Sequence, residues 1–218
     1  MPEYIDLSHT IEDGLSSYKG LPGPVICDFW SREYSKQFYE EGTSFLIGKI
    51  EMVGNTGTYI DTPYHRFENG KDLSQILIEQ ITHLEGIVIH VPFTETISIN
   101  ASFFQNLDLE NKAVLVHTGW DIYYGQEKYY SNNPFLTEDA AEYLVSKKVK
   151  LVGIDSHNID DTTGKTRPVH TTLLKNEILI VEHLCNLSSI PHQKFYFTAT
   201  PPKVKGFGTF PVRAFAEI

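Results

Sequence analysis

Cysteine is almost missing from this chain of 218 residues: there are two, Cys27 and Cys185, far apart in sequence. That excludes a disulfide framework and any paired zinc-knuckle spacing, and both are read as reduced, buried thiols. Positive charge is also short. Eighteen Lys and Arg face 28 Asp and Glu, a formal net charge of −10, which argues against nucleic acid and anionic membrane surfaces as partners. No run approaches the roughly 20 apolar residues of a membrane span. The start, Met1-Pro2-Glu3-Tyr4, has neither a basic cluster nor a following apolar stretch, so a cytoplasmic location is expected. Repeats, low-complexity tracts and linkers are lacking too. What remains is a 41% hydrophobic chain that can fill a sizeable core, expected as one domain over residues 1–218.

The apolar patterning predicts several strands. Residues 4–11 alternate weakly, and residues 12–24 are broken by glycine and proline into a loop. Strands are expected at 25–30, 45–52, 86–91, 113–118, 149–154, 178–182 and 195–199. Those at 86–91, 113–118 and 149–154 read as buried on both faces. A short helix is expected to open at Asp72, another over 101–107, and one over 169–175. A longer one follows Thr137, a plausible N-cap, and ends among Lys147, Lys148 and Lys150, where positive charge suits a C-terminus. Strands with few interleaved helices predict an α/β domain with a mixed, barrel-like or layered sheet.

The chemistry concentrates in Gly54-Asn55-Thr56-Gly57-Thr58-Tyr59-Ile60-Asp61-Thr62-Pro63-Tyr64-His65. Pro63 fixes φ and removes an N–H, so regular structure is not expected to continue across it. Asp61 and His65, four apart, can act as metal ligand and general base, or the segment can be a capped turn with Asp61 accepting backbone N–H groups. Farther on, His170 lies in a helix-like stretch and Glu182 closes an apolar strand, where sheet proteins place functional groups. The plain alternative is a helix histidine and a surface acid. Asp155, Asp160 and Asp161 form an acidic cluster with His157 that is either a metal site or, the reading preferred, ordinary turn chemistry. Tyr123, Tyr124, Tyr129 and Tyr130 either coat a loop, the reading preferred, or line a pocket mouth. Trp30 and Trp120 are candidate pocket walls on the same terms. His9, His83, His90, His117, His183 and His192 are read as structural.

The key segment resembles the motif His-x-Gly-Thr-His-x-Asp-x-Pro-x-His of the cyclase family of metal-dependent hydrolases, which includes bacterial kynurenine formamidases and isatin hydrolases. Here the frame reads Asn55-x-Gly57-Thr58-Tyr59-x-Asp61-x-Pro63-x-His65, so the two histidine ligands are replaced. Further stretches resemble the family in order: Ile5-Asp6-Leu7-Ser8-His9, residues 115–121, 152–156, 181–187 and the closing segment 202–214. The resemblance implies a swivelling β/β/α fold, with Asp61, His170 and Glu182 as metal ligands and His65 as the proton carrier. It implies one divalent ion, Mn²⁺ or Zn²⁺, whose retention is put in question by Asn55 and Tyr59. Oxygen-rich donor sets suit Mn²⁺ or Mg²⁺ better than Zn²⁺. Tyr59 is expected to hydrogen-bond a substrate carbonyl, with Asn55, Thr58 and Trp120 at the pocket. The implied reaction is hydrolysis of a carbon–nitrogen bond in a small amide, formamide or lactam, by a homodimer or homotetramer. The rivals are lactone hydrolysis, or a cyclisation or dehydration, on the same scaffold, and a binding module that has lost metal chemistry.

Overall fold

A computed structural model describes residues 2–218. The strands in chain order are β1 (Tyr4–Asp6), β2 (Val25–Trp30), β3 (Ile47–Glu51), β4 (Tyr59–Asp61), β5 (Leu84–His90), β6 (Ser98–Ile99), β7 (Ala113–His117), β8 (Phe135–Leu136), β9 (Leu151–Ile154), β10 (Leu179–Glu182), β11 (Phe195–Thr200), β12 (Thr209–Pro211) and β13 (Arg213–Glu217). The helices are α1 (Arg32–Ser35), α2 (Pro63–Arg66), α3 (Glu138–Ser146) and α4 (Pro168–Lys175). Nine strands form one mixed sheet in the order β1-β13-β11-β5-β7-β9-β10-β4-β12. Its centre, β5 to β10, is parallel, and the flanking strands pair antiparallel. The sheet is layered and open, with β1 and β12 as edges.

The central strands show why continuous apolar runs were needed. Val114, Val116, Val152, Ile154 and Ile180 join the core under α3 and α4. Their alternates Ala113, Leu115, Leu151, Leu179 and Val181 join a second core on the opposite face with Leu7, Ile60, Phe197 and Ala214. Period-two side chains thus fill both layers. At Gly153, a β-carbon would press into Leu184 and Leu115, so the chain runs bare where the second core is tightest.

Several expectations need correcting. Strand β5 buries only Leu84 and Ile89, with Ile87 and Val88 half-buried and His90 exposed. Residues 72–76 form a turn in which the Asp72 carboxylate accepts the N–H groups of Ser74 and Gly206, in competition with helix formation. Residues 101–107 give only a 3₁₀ turn, Ala101–Phe104. Thr137 occupies the N-cap of α3, but its hydroxyl goes to Asp139 and the Ile99 carbonyl rather than to a helix N–H. Pro63 does not end regular structure. It sits at the first position of α2, where its missing N–H has no helix partner to lose. Cys185 is buried, but Cys27 is exposed, because β2 and β3 form a separate hairpin outside the main sheet.

Candidate active site

Three adjacent strands build the site. On β4, Ile60 points into the second core, which turns Tyr59 and Asp61 to the helical face. Glu182 of β10 stands opposite Tyr59, and Thr209 of β12 stands opposite Asp61. The α4 helix adds His170, and α2 brings His65 round beside Asp61. All but His65 are buried. The Tyr59 phenol donates to Glu182 Oε2 at 2.6 Å, and Glu182 Oε1 accepts the Ile159 N–H at 2.6 Å.

His170 is the pivot. Its Nδ1 meets Asp160 Oδ2 at 2.6 Å, so Nε2 is aimed at Asp61 Oδ2, 3.6 Å away, and at Glu182 Oε1, 3.7 Å away. Asp160 also accepts the N–H groups of Val169 and His170, capping a helix whose own N-cap residue, Arg167, supplies no side-chain cap. Sequence reasoning placed Asp160 in an acidic cluster and preferred turn chemistry for it. The available signal was a proline-started helix preceded by Arg rather than by Ser, Thr, Asp or Asn, which required a cap from elsewhere.

Thr209 was also not singled out. Its hydroxyl donates to Asp61 Oδ1 and lies 2.7 Å from His65 Nδ1. Since that single hydroxyl proton goes to the carboxylate, His65 Nδ1 is the donor to Thr209, and in the neutral imidazole the lone pair is then on Nε2. Behind this chain, Gly208 lets β12 approach α2. A β-carbon there would collide with the backbone N and Cα of His65.

The electrostatics reflect buried acids around a buried imidazole. Burial opposes ionisation of Asp61, but His65 and His170 outweigh it and hold its carboxyl below the usual range. Burial alone would lower His170; Glu182, Asp160 and Asp61 overcome it and push it up to about 10. Burial raises Glu182 to about 7, opposed by His170 and reinforced by Asp61. Burial, then Glu182 and Asp61, drive the Tyr59 phenol well above its ordinary value.

A divalent ion fits this arrangement. Asp61 Oδ2 is buried and has no hydrogen-bond partner; His170 Nε2 lies 3.6 Å from it and 3.7 Å from Glu182 Oε1, so the imidazole nitrogen stands between the two acids. Asp160 on the far nitrogen of His170 is the support that ligating histidines usually have. Asp61, His65 and His170 also offer donor atoms all within 4.8 Å of one another, so His65 stands within reach of the same point. Asn55 lies against the protonated phenol of Tyr59, which does not replace an imidazole. The only proton of Tyr59 goes to Glu182, so it is not free for a substrate carbonyl; it positions Glu182 instead.

The cleft above these groups is about 270 Å³ and is lined by Tyr18, Asn55, Tyr59, His65, Asn158, Glu182 and others. Two expected wall residues are elsewhere. Thr58 is buried behind β4, donating to the His183 carbonyl and accepting the His9 N–H. Trp120 is buried, its indole N–H donating to the Tyr129 carbonyl, because the loop after β7 folds inward as an aromatic cluster. Tyr129 belongs to that cluster, fully buried, and none of the four loop tyrosines lines the cleft. Trp30 packs on Tyr34 and Phe38 within the β2–β3 arm.

Residues 5–161 match the Cyclase family model, described as "Putative cyclase". This chain belongs to the cyclase family. The kynurenine formamidase of Geobacillus thermodenitrificans is 29% identical to this chain over 216 residues, spanning 98% of this chain and 97% of that one. The kynurenine formamidase of Bacillus cereus is 27% identical over 213 residues, or 97% and 96% of the two chains. A solved structure described as a potential metal-dependent hydrolase with cyclase activity superposes with a TM-score of 0.79 at 25% identity, covering 100% of this chain and 98% of that one. An isatin hydrolase bound to thioisatinate shares the fold, with a TM-score of 0.84 at 19% identity over 100% and 92% of the chains.

Proposed function

We propose that this cyclase-family chain hydrolyses the carbon–nitrogen bond of a small amide, of the aryl-formamide or lactam type, with one divalent ion, Mn²⁺ or Zn²⁺. The observation that carries the reading is the partnerless, buried Asp61 Oδ2 facing His170 Nε2, which also lies 3.7 Å from Glu182 Oε1. Those three side chains would hold the ion, which when bound supplies carbonyl polarisation and acidified water. His65 does the proton work. Its Nδ1 is tied through Thr209 to Asp61, so Nε2 takes a proton from water and returns it to the leaving nitrogen as the C–O bond forms and the C–N bond breaks. Tyr59 and Ile159 fix Glu182, and Asp160 fixes His170. The likeness to kynurenine formamidases over nearly full length supports the reaction class. Metal analysis before and after soaking with Zn²⁺ and Mn²⁺, with turnover of an aryl formamide, tests it. About one equivalent per chain and chelator-sensitive turnover are expected; under about a tenth of an equivalent with no rise on soaking would sink the one-metal reading. His65→Ala should fold normally and lose about 10²–10⁴-fold in turnover.

The working unit in this reading is a dimer, and the occupant of the β2–β3 arm is a second copy of the chain. Val25, Phe29, Tyr34, Phe38, Phe45, Ile47 and Ile50 are all exposed there, Phe29 at 67%. The surface area of 11450 Å² exceeds the roughly 10,200 Å² of an ordinary folded monomer of this mass by about what one partner contributes to a stable interface.

A further inference from the structure

Two of the four arginines in this chain, Arg66 and Arg167, line the active-site cleft, and none of its lysines does. Each is held by one edge. Arg66 Nε donates to Thr171 Oγ1 at 3.0 Å. Arg167 Nη1 is held by the carbonyls of Asp161, Gly164 and Thr166 at 3.3, 3.0 and 2.8 Å. Among the described residues neither guanidinium has a carboxylate within ion-pair distance, whereas Arg213 is paired with Asp6 at 2.7 Å. Tyr18 lines the same cleft.

Two unpaired guanidinium groups beside a cleft that is lined by Glu182 and has Asp61 buried behind His65 and His170 form a charge gradient across one small volume. Arginine presents a planar fork suited to a carboxylate, and anchoring one edge removes much of the entropy cost of offering the other. We infer that Arg66 and Arg167 form a carboxylate subsite, so that the substrate is an amide bearing an acidic group, with the anion at the rim and the scissile carbonyl over Asp61, His65 and His170. A carboxylate is favoured over a phosphate because a dianion would sit close to these two acids in a cleft of only about 270 Å³. This inference rests on the hydrolase reading for the identity of the scissile bond, but the anion subsite can be measured without turnover.

The test compares N-formylanthranilate with formanilide, which differ by one carboxylate, on the metal-loaded full-length protein. Affinity is read by calorimetry and turnover is followed separately. Wild type should bind the anionic compound at least about tenfold more tightly, and Arg66→Gln and Arg167→Gln should each remove about 10-fold or more of that preference while binding of formanilide changes less than about twofold. Arg167→Lys keeps the charge and the loop contact, so a partial loss there separates the missing fork from a misfolded loop. Selective, arginine-dependent binding without turnover of either compound would leave the subsite standing and defeat the hydrolase reading. Equal binding of the two compounds by wild type, equal losses for both in the arginine variants, or tighter binding of orthophosphate than of benzoate would overturn the subsite.

Discussion

At the scale of single residues, the site depends on side chains that fix other side chains. Asp160 is the clearest case. Its carboxylate accepts two backbone N–H groups of α4 and fixes the imidazole of His170. Asp160→Asn keeps an acceptor for the backbone but removes the anion behind the imidazole. The variant should stay folded while its affinity for the divalent ion falls about 10–100-fold, measured by competition with a chelator. His9 makes a different test. It lies flat on Tyr124, its Nε2 is buried without a partner, and burial lowers its pKa to about 4. In the folded state it therefore resists the proton that the unfolded chain accepts near its ordinary value of about 6.5. The stability it confers is present above about 6.5 and is lost as pH falls towards about 4. His157, also about 4 through burial, acts with the same sign, whereas Asp155, raised by burial to about 7, acts with the opposite one. His9→Phe keeps the stack and removes the titration. Thermal midpoints measured from pH 7 to 4 should fall less steeply in the variant than in wild type, and parallel curves would refute this account.

At the scale of elements, the decisive fact is the neighbourhood of β4, flanked by β10 and β12. A three-residue strand gives little sequence signal, and Tyr59-Ile60-Asp61 has the small-residue turn before it and Pro63 after it. The strand exists because partners more than a hundred residues away in sequence pair with both its edges. That pairing sets Tyr59 opposite Glu182 and Asp61 opposite Thr209, which no local spacing announces. Helix α2 is positioned by the same strands through the close approach of Gly208. Gly208→Ala would force β12 and α2 apart at the His65 backbone, costing roughly 1–3 kcal/mol of stability. It should lower turnover more than the drop in thermal midpoint explains, because the Thr209–His65 contact opens. A variant with wild-type turnover would show that this spacing is not required.

At the scale of the whole molecule, the open sheet buries two cores and leaves the β2–β3 arm outside both. Light scattering on the purified protein should give about twice the chain mass, and Phe29→Asp with Ile47→Asp should shift it towards the monomer without loss of the sheet. A wild-type monomer at micromolar concentration would remove the dimer from the proposal. No helix among the described residues is long and apolar enough to cross a membrane. The sequence by itself determined the layered α/β class and most of the strands, since period-two apolar runs buried on both faces admit few other arrangements. It also carried the likeness to the cyclase motif from Asn55 to His65, and it was that likeness, not spacing alone, that singled out Asp61, His65, His170 and Glu182. Only the tertiary structure decided that Asp160 and Thr209 belong to the site, that the Tyr59 proton is given to Glu182, and that Thr58 and Trp120 lie behind it. Those facts depend on strand register and on which buried polar groups meet across distant segments, and hydrogen bonds are satisfied by proximity in space rather than by order along the chain.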